Sequence, residues 1–426
     1  MTPPIPRFKP KMATFRPPRF RLPKARSAFL KLFLLFLVWT VIEAHISHYR
    51  IARTERQAKA KGVLTAPTRV YIASLHWNNE KILRSEWNKG VVELVKTFGA
   101  DNVFVSVYES GSWDDSKGAL RELDQELEKL GVPRKIILDD ETHKDLINGP
   151  QQEEGWITVP DGKRMPRRIP YLSKLRNLSL QPLRELAMNG TMFDHVLFLG
   201  DVVFSAPDVL NLLKTNNGDY AAACSLDFSK PPSFYDTFAL RDSRGQEHVS
   251  LTWPYFRSSK SRSAMVNAEP VRVSSCWNGI VAMPASSFTG IRGLRFRGIP
   301  DSLAALHLEA SECCLIHADN PGSRTRGVFV NPAVRVGYNR LAYDAVHNDP
   351  TSGGGGGGSW LSLTEVYVGL WRSRLARWLT SSWFAERSVR ARIGRWGRGG
   401  AGRVEKGGFC VVDEMQIVVQ NGWKHL

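Results

Sequence analysis

The 426-residue chain carries a formal net charge of +17, and that charge is concentrated at its ends. Residues 1–61 hold 14 basic and 2 acidic side chains and residues 360–426 hold 11 and 5, leaving 33 basic and 34 acidic between them. A neutral central body lacks the basic face that a polyphosphate backbone requires, so nucleic acid is not an expected partner; with 42% hydrophobic residues there is core for one large domain or two smaller ones.

Eight basic residues and no acid fill residues 1–27, and residues 28–44 are then apolar apart from Lys31 and Glu43. This pattern predicts one transmembrane helix. It falls slightly short of the roughly 20 residues of an ordinary span, but Lys31 can snorkel and thinner membranes need less. The basic flank is expected to stay cytoplasmic and the body to be lumenal, with residues 45–66 as a stem. A cleaved signal peptide is the weaker alternative, because the basic region is long and no small-x-small site follows. Arg50, Arg53, Arg56, Lys59 and Lys61 beyond the apolar stretch dilute the charge asymmetry. The sequons at Asn177 and Asn189 are compatible with a lumenal body.

From residue 67 to 348 the pattern is that of an α/β domain. Residues 70–75 read as a strand, 80–98 as an amphipathic helix, 103–108 as a second strand, and 116–130 as a charged helix stopped by Gly131 and Pro133. Residues 135–138 make a third strand, a polar loop runs to Arg168, a helix reaches Met188, and an apolar run covers 196–204. This order predicts a mostly parallel sheet with ligand crevices at its carboxyl edge. Residues 219–226 resemble another strand and 231–270 are loop-rich. Six glycines at 353–358 mark a linker, and the Arg/Trp-studded stretch after them, within 349–406, reads as a poorly ordered insertion. Residues 407–426 are expected to pack on the central domain.

Asp201 interrupts the last apolar run near its far end. A lone carboxylate there is costly unless it is paired, caps the following turn, or holds a metal or ligand. Five cysteines do not amount to a disulfide framework in a body of this size. Cys313 and Cys314 are adjacent, so a bond between them is disfavoured and each is expected to pair elsewhere or stay buried, with Cys224, Cys276 and Cys410 as available partners. No spacing resembles a zinc site.

Several spaced motifs then carry a resemblance. They are Val107-Tyr108-Glu109-Ser110-Gly111-Ser112 with Asp114; Leu175-Arg176-Asn177 with Pro182-Leu183; Phe198-Leu199-Gly200-Asp201-Val202; Asp227-Phe228 with Phe234-Tyr235-Asp236 and Arg241-Asp242; Cys276-Trp277-Asn278-Gly279; and Ser311-Glu312-Cys313-Cys314-Leu315 with Asp319. The chain resembles the fungal family of cryptococcal mannosyltransferase 1 and capsule-associated proteins, α-1,3-mannosyltransferases with a GT-A-like fold, over about residues 70–339 and again near the carboxyl terminus. The resemblance implies a membrane-anchored enzyme of the Golgi or another secretory compartment that moves mannose from GDP-mannose to a glycan acceptor with Mn²⁺ or Mg²⁺. In that family Asn usually precedes the metal-site Asp, where this chain has Gly200.

The chemistry follows from the leaving group. A departing diphosphate needs a divalent cation or a basic clamp, so Asp201 is the candidate metal ligand, with diphosphate oxygens and water completing the shell. Arg176 suits the phosphates, and Glu109, Asp114, Asn177, Arg241 and Asp242 complete the candidate nucleotide-binding set; for Glu109 and Asp114 turn capping is an equal alternative. Trp277 and Asn278 pair an aromatic plane with an amide suited to a sugar, although Trp is as often core. Glu312, Asp227 and Asp236 are the candidate catalytic carboxylates. Glu309 and Glu312 share a face if their segment is helical. A lumenal carbohydrate-binding or scaffold protein that has lost turnover is the alternative, for which Gly200 is the hint, and a soluble glycosidase is a weaker third reading.

Overall fold

The computed structural model describes residues 22–60, 68–347 and 359–426. Four strands, β1 (Val70–His76), β2 (Val103–Ser110), β3 (Arg134–Asp139) and β4 (His195–Leu199), run parallel in the order β3-β2-β1-β4. Their side chains alternate between faces: Tyr71 and Ala73 of β1 enter one hydrophobic cluster and Val70 and Ile72 the other, while Val196 and Phe198 of β4 part in the same way from Leu197 and Leu199. Both faces are covered, which is why these strands read as continuous apolar runs.

The remaining strands make the sheet mixed. β5 (Ala222–Lys230), β6 (Arg241–Asp242), β7 (Val271–Ser275), β8 (Ile280–Pro284) and β9 (Val328–Gly337) extend it to β3-β2-β1-β4-β8-β5-β9-β7-β6, with the short strand Ser233–Phe234 paired to β5. β8 is antiparallel to both β4 and β5. The apolar run expected over 196–204 is a strand only to Leu199, and Val203 continues as a single bridge to Gly337. The α/β class and the parallel order of the first four strands agree with expectation.

Residue 43 divides the chain into two units. Helix α1 (Leu22–Ala60) includes Ser27–Gln57, the one stretch among the described residues long and apolar enough to cross a membrane, a property that a signal sequence shares. Residues 44–60 are helical where a stem is expected, and they belong to the larger unit. Ala44, Ser47, Ile51 and Glu55 form one buried stripe, and Glu55 Oε1 lies 3.2 Å from the Arg335 guanidinium and accepts from the Trp360 amide at 3.2 Å.

The helix expected over 80–98 contains a π-turn, Leu83–Trp87, before α2 (Asn88–Phe98). The turn places Trp87 Nε1 3.0 Å from the Gly200 carbonyl, to which it donates. With α3 (Ser116–Lys129), α2 covers one face of the sheet. The helix expected over 168–188 is two, α4 (Arg168–Ser179) and α5 (Gln181–Met188), meeting at Leu180 where Pro182 opens the second. α6 (Ala206–Leu213) follows the Asp201 turn, and α7 (Glu312–Asp319) carries the Glu312 motif.

The insertion expected to be poorly ordered instead forms α8 (Leu363–Leu379) and α9 (Trp383–Arg398). Trp360, Leu361, Val366 and Leu370 join the main hydrophobic cluster, so burial holds this segment to the body. The glycine run at 353–358 lies outside the described residues. The chain closes with hairpin β10 (Gln416–Val419) and β11 (Gly422–His425). Two disulfides, Cys224–Cys276 and Cys314–Cys410, are present where the composition suggests no framework, and Cys313 is free and buried.

Candidate active site

Strand order reverses beside β1: β2 and β3 lie on one side of it and β4 on the other, so a crevice opens between the carboxyl ends of β1 and β4. Asp201 stands in that crevice, two residues beyond β4, at one wall of a cleft of about 510 Å³. Arg176 of α4, Asp236, Trp277 and Glu312 line the same cleft, with Ser74 of β1, Tyr235 and Tyr338.

A network of polar groups fixes the Asp201 carboxylate. Asn79 Nδ2 donates to Asp201 Oδ2 at 3.0 Å, while Asn79 Oδ1 accepts from the Trp77 amide at 3.0 Å and lies 3.2 Å from His76 Nδ1. His76 Nε2 is 2.8 Å from Ser74 Oγ, which donates to the Leu199 carbonyl at 2.7 Å. Burial lowers the His76 pKa to about 4, so this imidazole is neutral at physiological pH. Burial also pushes the Asp201 carboxyl above its ordinary value. Gly200 has a steric reason. Its amide donates to the Gly279 carbonyl at 2.9 Å, and a Cβ there would lie 2.8 Å from that oxygen, so glycine lets the two segments cross closer than a side chain would without a shift of the Gly279 backbone.

Asp227, fully buried, and Asp236, half-buried, form a pair in which both carboxyls are raised above the ordinary value, chiefly by loss of solvent; the negative charge of Asp236 raises Asp227 further. The Asp236 backbone amide donates to Asp227 Oδ1 at 3.2 Å, and Tyr338 Oη donates to Asp227 Oδ2 at 3.0 Å. Asp236 faces the cleft. Asp227 lies behind it, outside the cleft lining and fully buried.

Glu312, 2% exposed at the start of α7, accepts from Arg176 Nε at 3.0 Å. The Arg176 guanidinium also sits 5.0 Å from the centroid of the Trp277 indole, which packs against Phe198 and Phe296. Glu309 does not share a helical face with Glu312. It lies in a two-residue strand before α7, where both carboxylate oxygens accept from the buried Arg167, at 2.7 and 3.1 Å.

Several predicted ligand-contacting residues serve the frame instead. Both amide hydrogens of Asn278 are used internally: Nδ2 donates to Asp227 Oδ1 at 2.9 Å and to the Asp236 carbonyl at 3.0 Å, so this residue positions the two aspartates and does not line the cleft. Asn177 exchanges two hydrogen bonds with the Phe296 backbone, at 2.8 and 3.0 Å. Arg241 is buried and donates to the carbonyls of Leu240 and Phe409, while Asp242 accepts from the amides of Arg244, Gln246 and Ser258. Asp114 caps the turn into α3, accepting from the Glu80 and Ser116 amides. Glu109 accepts from the Ser112 amide at 2.6 Å, its Oε2 has no protein partner, and burial raises its pKa. Of the nucleotide-binding candidates, Arg176 alone lines the cleft.

Sequence reasoning missed the cleft residues contributed from far along the chain, namely Tyr338 after β9 and Gln416, Trp423 and His425 of the terminal hairpin. It also missed Asn79, whose signal was its place just beyond a strand end on the carboxyl edge. The one cluster of three metal-type ligand atoms among the described residues is Cys224, Cys276 and His317, in which the two sulfurs are bonded to each other.

The family model described as Cryptococcal mannosyltransferase 1 matches residues 69–319, more than half of the chain and all the cleft residues up to Cys313. The chain belongs to this family. As a family member it is a glycosyltransferase, and the matched segment includes Asp201, Arg176, Asp236, Trp277 and Glu312. No curated protein matches the chain. Among solved structures it is similar to the mannosyltransferase PcManGT from Pyrobaculum calidifontis in complex with GDP-Man and Mn2+, at 11% identity and TM-score 0.34 over 85% of this chain and 87% of that one. GalNAc-T7 with UDP, GalNAc and Mn2+ is similar at 13% identity and TM-score 0.36, over 63% of this chain and 43% of that one. S. aureus TarS 1-349 in complex with UDP is similar at 11% identity and TM-score 0.34, over 62% and 57%.

Proposed function

We propose that this family member is a membrane-anchored mannosyltransferase of the secretory pathway, in the Golgi or a neighbouring compartment, that transfers mannose from GDP-mannose to a mannoside or glycan acceptor. The product is an α-1,3 linkage formed with retention, in polysaccharide or glycoconjugate synthesis. The observation that carries the reading is Asp201, held by Asn79 at the strand-order reversal and facing a cleft lined by further carboxylates and two half-buried arginines, Arg168 and Arg176. Carboxylate oxygen in a cleft with this excess of negative charge suits a hard divalent cation, and Asp201 is the residue that would hold Mn²⁺ or Mg²⁺. Such an ion supplies charge neutralisation for the leaving diphosphate.

The chain's own groups have separable tasks. Arg176 lies at the cleft wall with its guanidinium kept in place by Glu312 and Trp277, and serves the diphosphate. As the C1–O bond to the diphosphate breaks and the C1–O bond to the acceptor forms, the acceptor hydroxyl loses its proton. Asp236, whose elevated pKa makes it a better proton acceptor than an ordinary carboxylate, faces the cleft to receive it. A lumenal location agrees with two disulfides, which persist in oxidising compartments.

The test is GDP release from GDP-mannose by purified protein with Mn²⁺, with and without a mannoside acceptor and after chelation. Release that needs the metal and rises with acceptor is expected. Binding of mannosides without any GDP release would favour a non-catalytic carbohydrate-binding protein.

A further inference from the structure

One wall of the cleft has no part in the chemistry above. Glu414, Gln416, Trp423 and His425, at and within hairpin β10–β11, line it. Trp423 is the unusual member, because a tryptophan 47% exposed at a cavity wall is not serving as core. Its ring is nonetheless held: the Arg168 guanidinium, at the start of α4, lies 3.9 Å from the indole centroid, and Arg168 also donates to Gln416 Oε1 at 2.6 Å. A cation therefore covers one face of the indole and sets its orientation, and Arg168 and Trp423 line the cleft together.

Polar groups flank this plane. Gln416 Nε2 donates to Glu414 Oε1 at 2.6 Å, and the same carboxylate pairs with His425 Nδ1. A carboxylate, an amide and an imidazole thus surround one exposed aromatic surface. A pyranose ring presents an apolar C–H face with a rim of hydroxyls, and this combination matches it. The hairpin is also built into the molecule. Ile417 bridges to Arg167, the Leu426 amide donates to the Met415 carbonyl at 3.0 Å, and the Cys314–Cys410 disulfide joins the preceding segment to α7, which carries Glu312.

We propose that hairpin β10–β11 is the acceptor subsite, with Trp423 as the platform on which a sugar ring of a glycan acceptor stacks and Arg168 as the positioning residue that holds the indole. This rests on the glycosyl-transfer reading above. The other planar or ring-shaped ligand within reach of the same surface is the nucleoside of the donor, and the experiment separates the two.

Steady-state transfer is measured with GDP-mannose and mannobiose as the acceptor probe, in full-length wild type, Trp423→Ala, Trp423→Phe and Arg168→Gln. Trp423→Ala should raise the mannobiose KM about tenfold or more while the GDP-mannose KM follows by less than twofold; Trp423→Phe should restore most of the loss; and Arg168→Gln should raise the mannobiose KM alone, by a smaller factor. A rise in the GDP-mannose KM instead assigns the platform to the nucleoside and overturns the proposal, as does an unchanged mannobiose KM in a folded Trp423→Ala protein. If wild type releases no GDP, the transfer reading fails separately. Calorimetric binding of mannobiose, weakened about tenfold by Trp423→Ala in support and equal or absent in both proteins in refutation, then decides the subsite without turnover. Melting temperatures accompany each variant, and Trp423→Phe keeps the test decisive if the alanine variant does not fold.

Discussion

Asn79 and Asp201, 122 residues apart in the chain, are joined by a 3.0 Å hydrogen bond from the amide to the carboxylate. The bond orients Asp201 before any ligand arrives, because Asn79 is itself fixed through the Trp77 amide and faces His76. Preorganisation of this kind removes a reorganisation cost from the reacting complex.

Asp201→Asn keeps size and shape but removes the charge, so turnover is expected to fall at least about a hundredfold, equivalent to ~3 kcal/mol. Melting temperature should move little, since the apolar strand is untouched. Asn79→Ala leaves the charge and loses its orientation; its expected signature is a higher Mn²⁺ concentration for half-maximal activity. Transfer assays over a Mn²⁺ titration check both, and near-wild-type transfer by a folded Asp201→Asn protein would exclude the metal role.

Arg176 and Glu312 make a cycle. Arg176→Ala leaves a buried carboxylate without its cation, and a loss of about 3–5 kcal/mol in stability is expected. The double variant Arg176→Ala with Glu312→Gln should recover much of that stability and none of the activity. Chemical denaturation and transfer rates measure the two halves of the statement independently.

The Asp227–Asp236 pair sets a pH dependence. Both carboxyls titrate above the ordinary range, so the acid limb of the rate profile should lie above that of an exposed aspartate. The Glu312 charge adds to burial in raising Asp236, so Glu312→Gln lets Asp236 ionise at lower pH and moves that limb to lower pH. Stability carries the matching sign. A carboxyl raised in the native state is ionised more readily in the unfolded chain, so wild type loses stability as pH rises through the interval between the two values, and Asp227→Asn should flatten that decline. An unshifted limb in Glu312→Gln would show that Asp236 does not govern the rate.

Two buried imidazoles, His76 and His317, have pKa values lowered to about 4 by burial. The unfolded chain protonates them near the ordinary value of about 6.5, so their contribution is present above that pH and is lost as pH falls toward 4, at about 3 kcal/mol for each. The melting temperature should drop steeply between pH 6.5 and 4.5. His317→Gln, which can still donate toward the Cys276 carbonyl that His317 Nε2 approaches at 2.7 Å, should soften the drop.

The parallel half of the sheet was legible because doubly covered strands must be apolar throughout, and the amphipathic spacing in α2 and α3 revealed the helices covering one face. Asp201 stood out for the same reason, as a charge where burial is costly. What a sequence does not separate is a polar residue that touches a ligand from one that holds the frame. Asn177, Arg241, Asp242 and Asn278 all lie in the resembled motifs, yet their hydrogen bonds go to the protein's own backbone and to Asp227. β8 escaped because it is short and inserted antiparallel between β4 and β5, and hairpin β10–β11 because four-residue strands carry too little periodicity. α8 was recoverable: Val366, Gly369, Leu370 and Ser373 give a helical stripe that the abundance of arginine obscured.

The adjacent pair Cys313 and Cys314 poses a problem of correct assembly. In the unfolded chain either sulfur can reach Cys410, and only one choice lets α7 and the terminal segment close together. The native fold makes that choice durable by sequestering Cys313, whose thiol is pushed well above its ordinary pKa by burial and so stays protonated and unable to attack the neighbouring bond. Quality control of this enzyme therefore falls on the period before α7 is buried, when disulfide isomerisation has to sort two neighbouring thiols. Recombinant material made without an isomerase should carry a Cys313–Cys410-bonded fraction that Cys313→Ser abolishes.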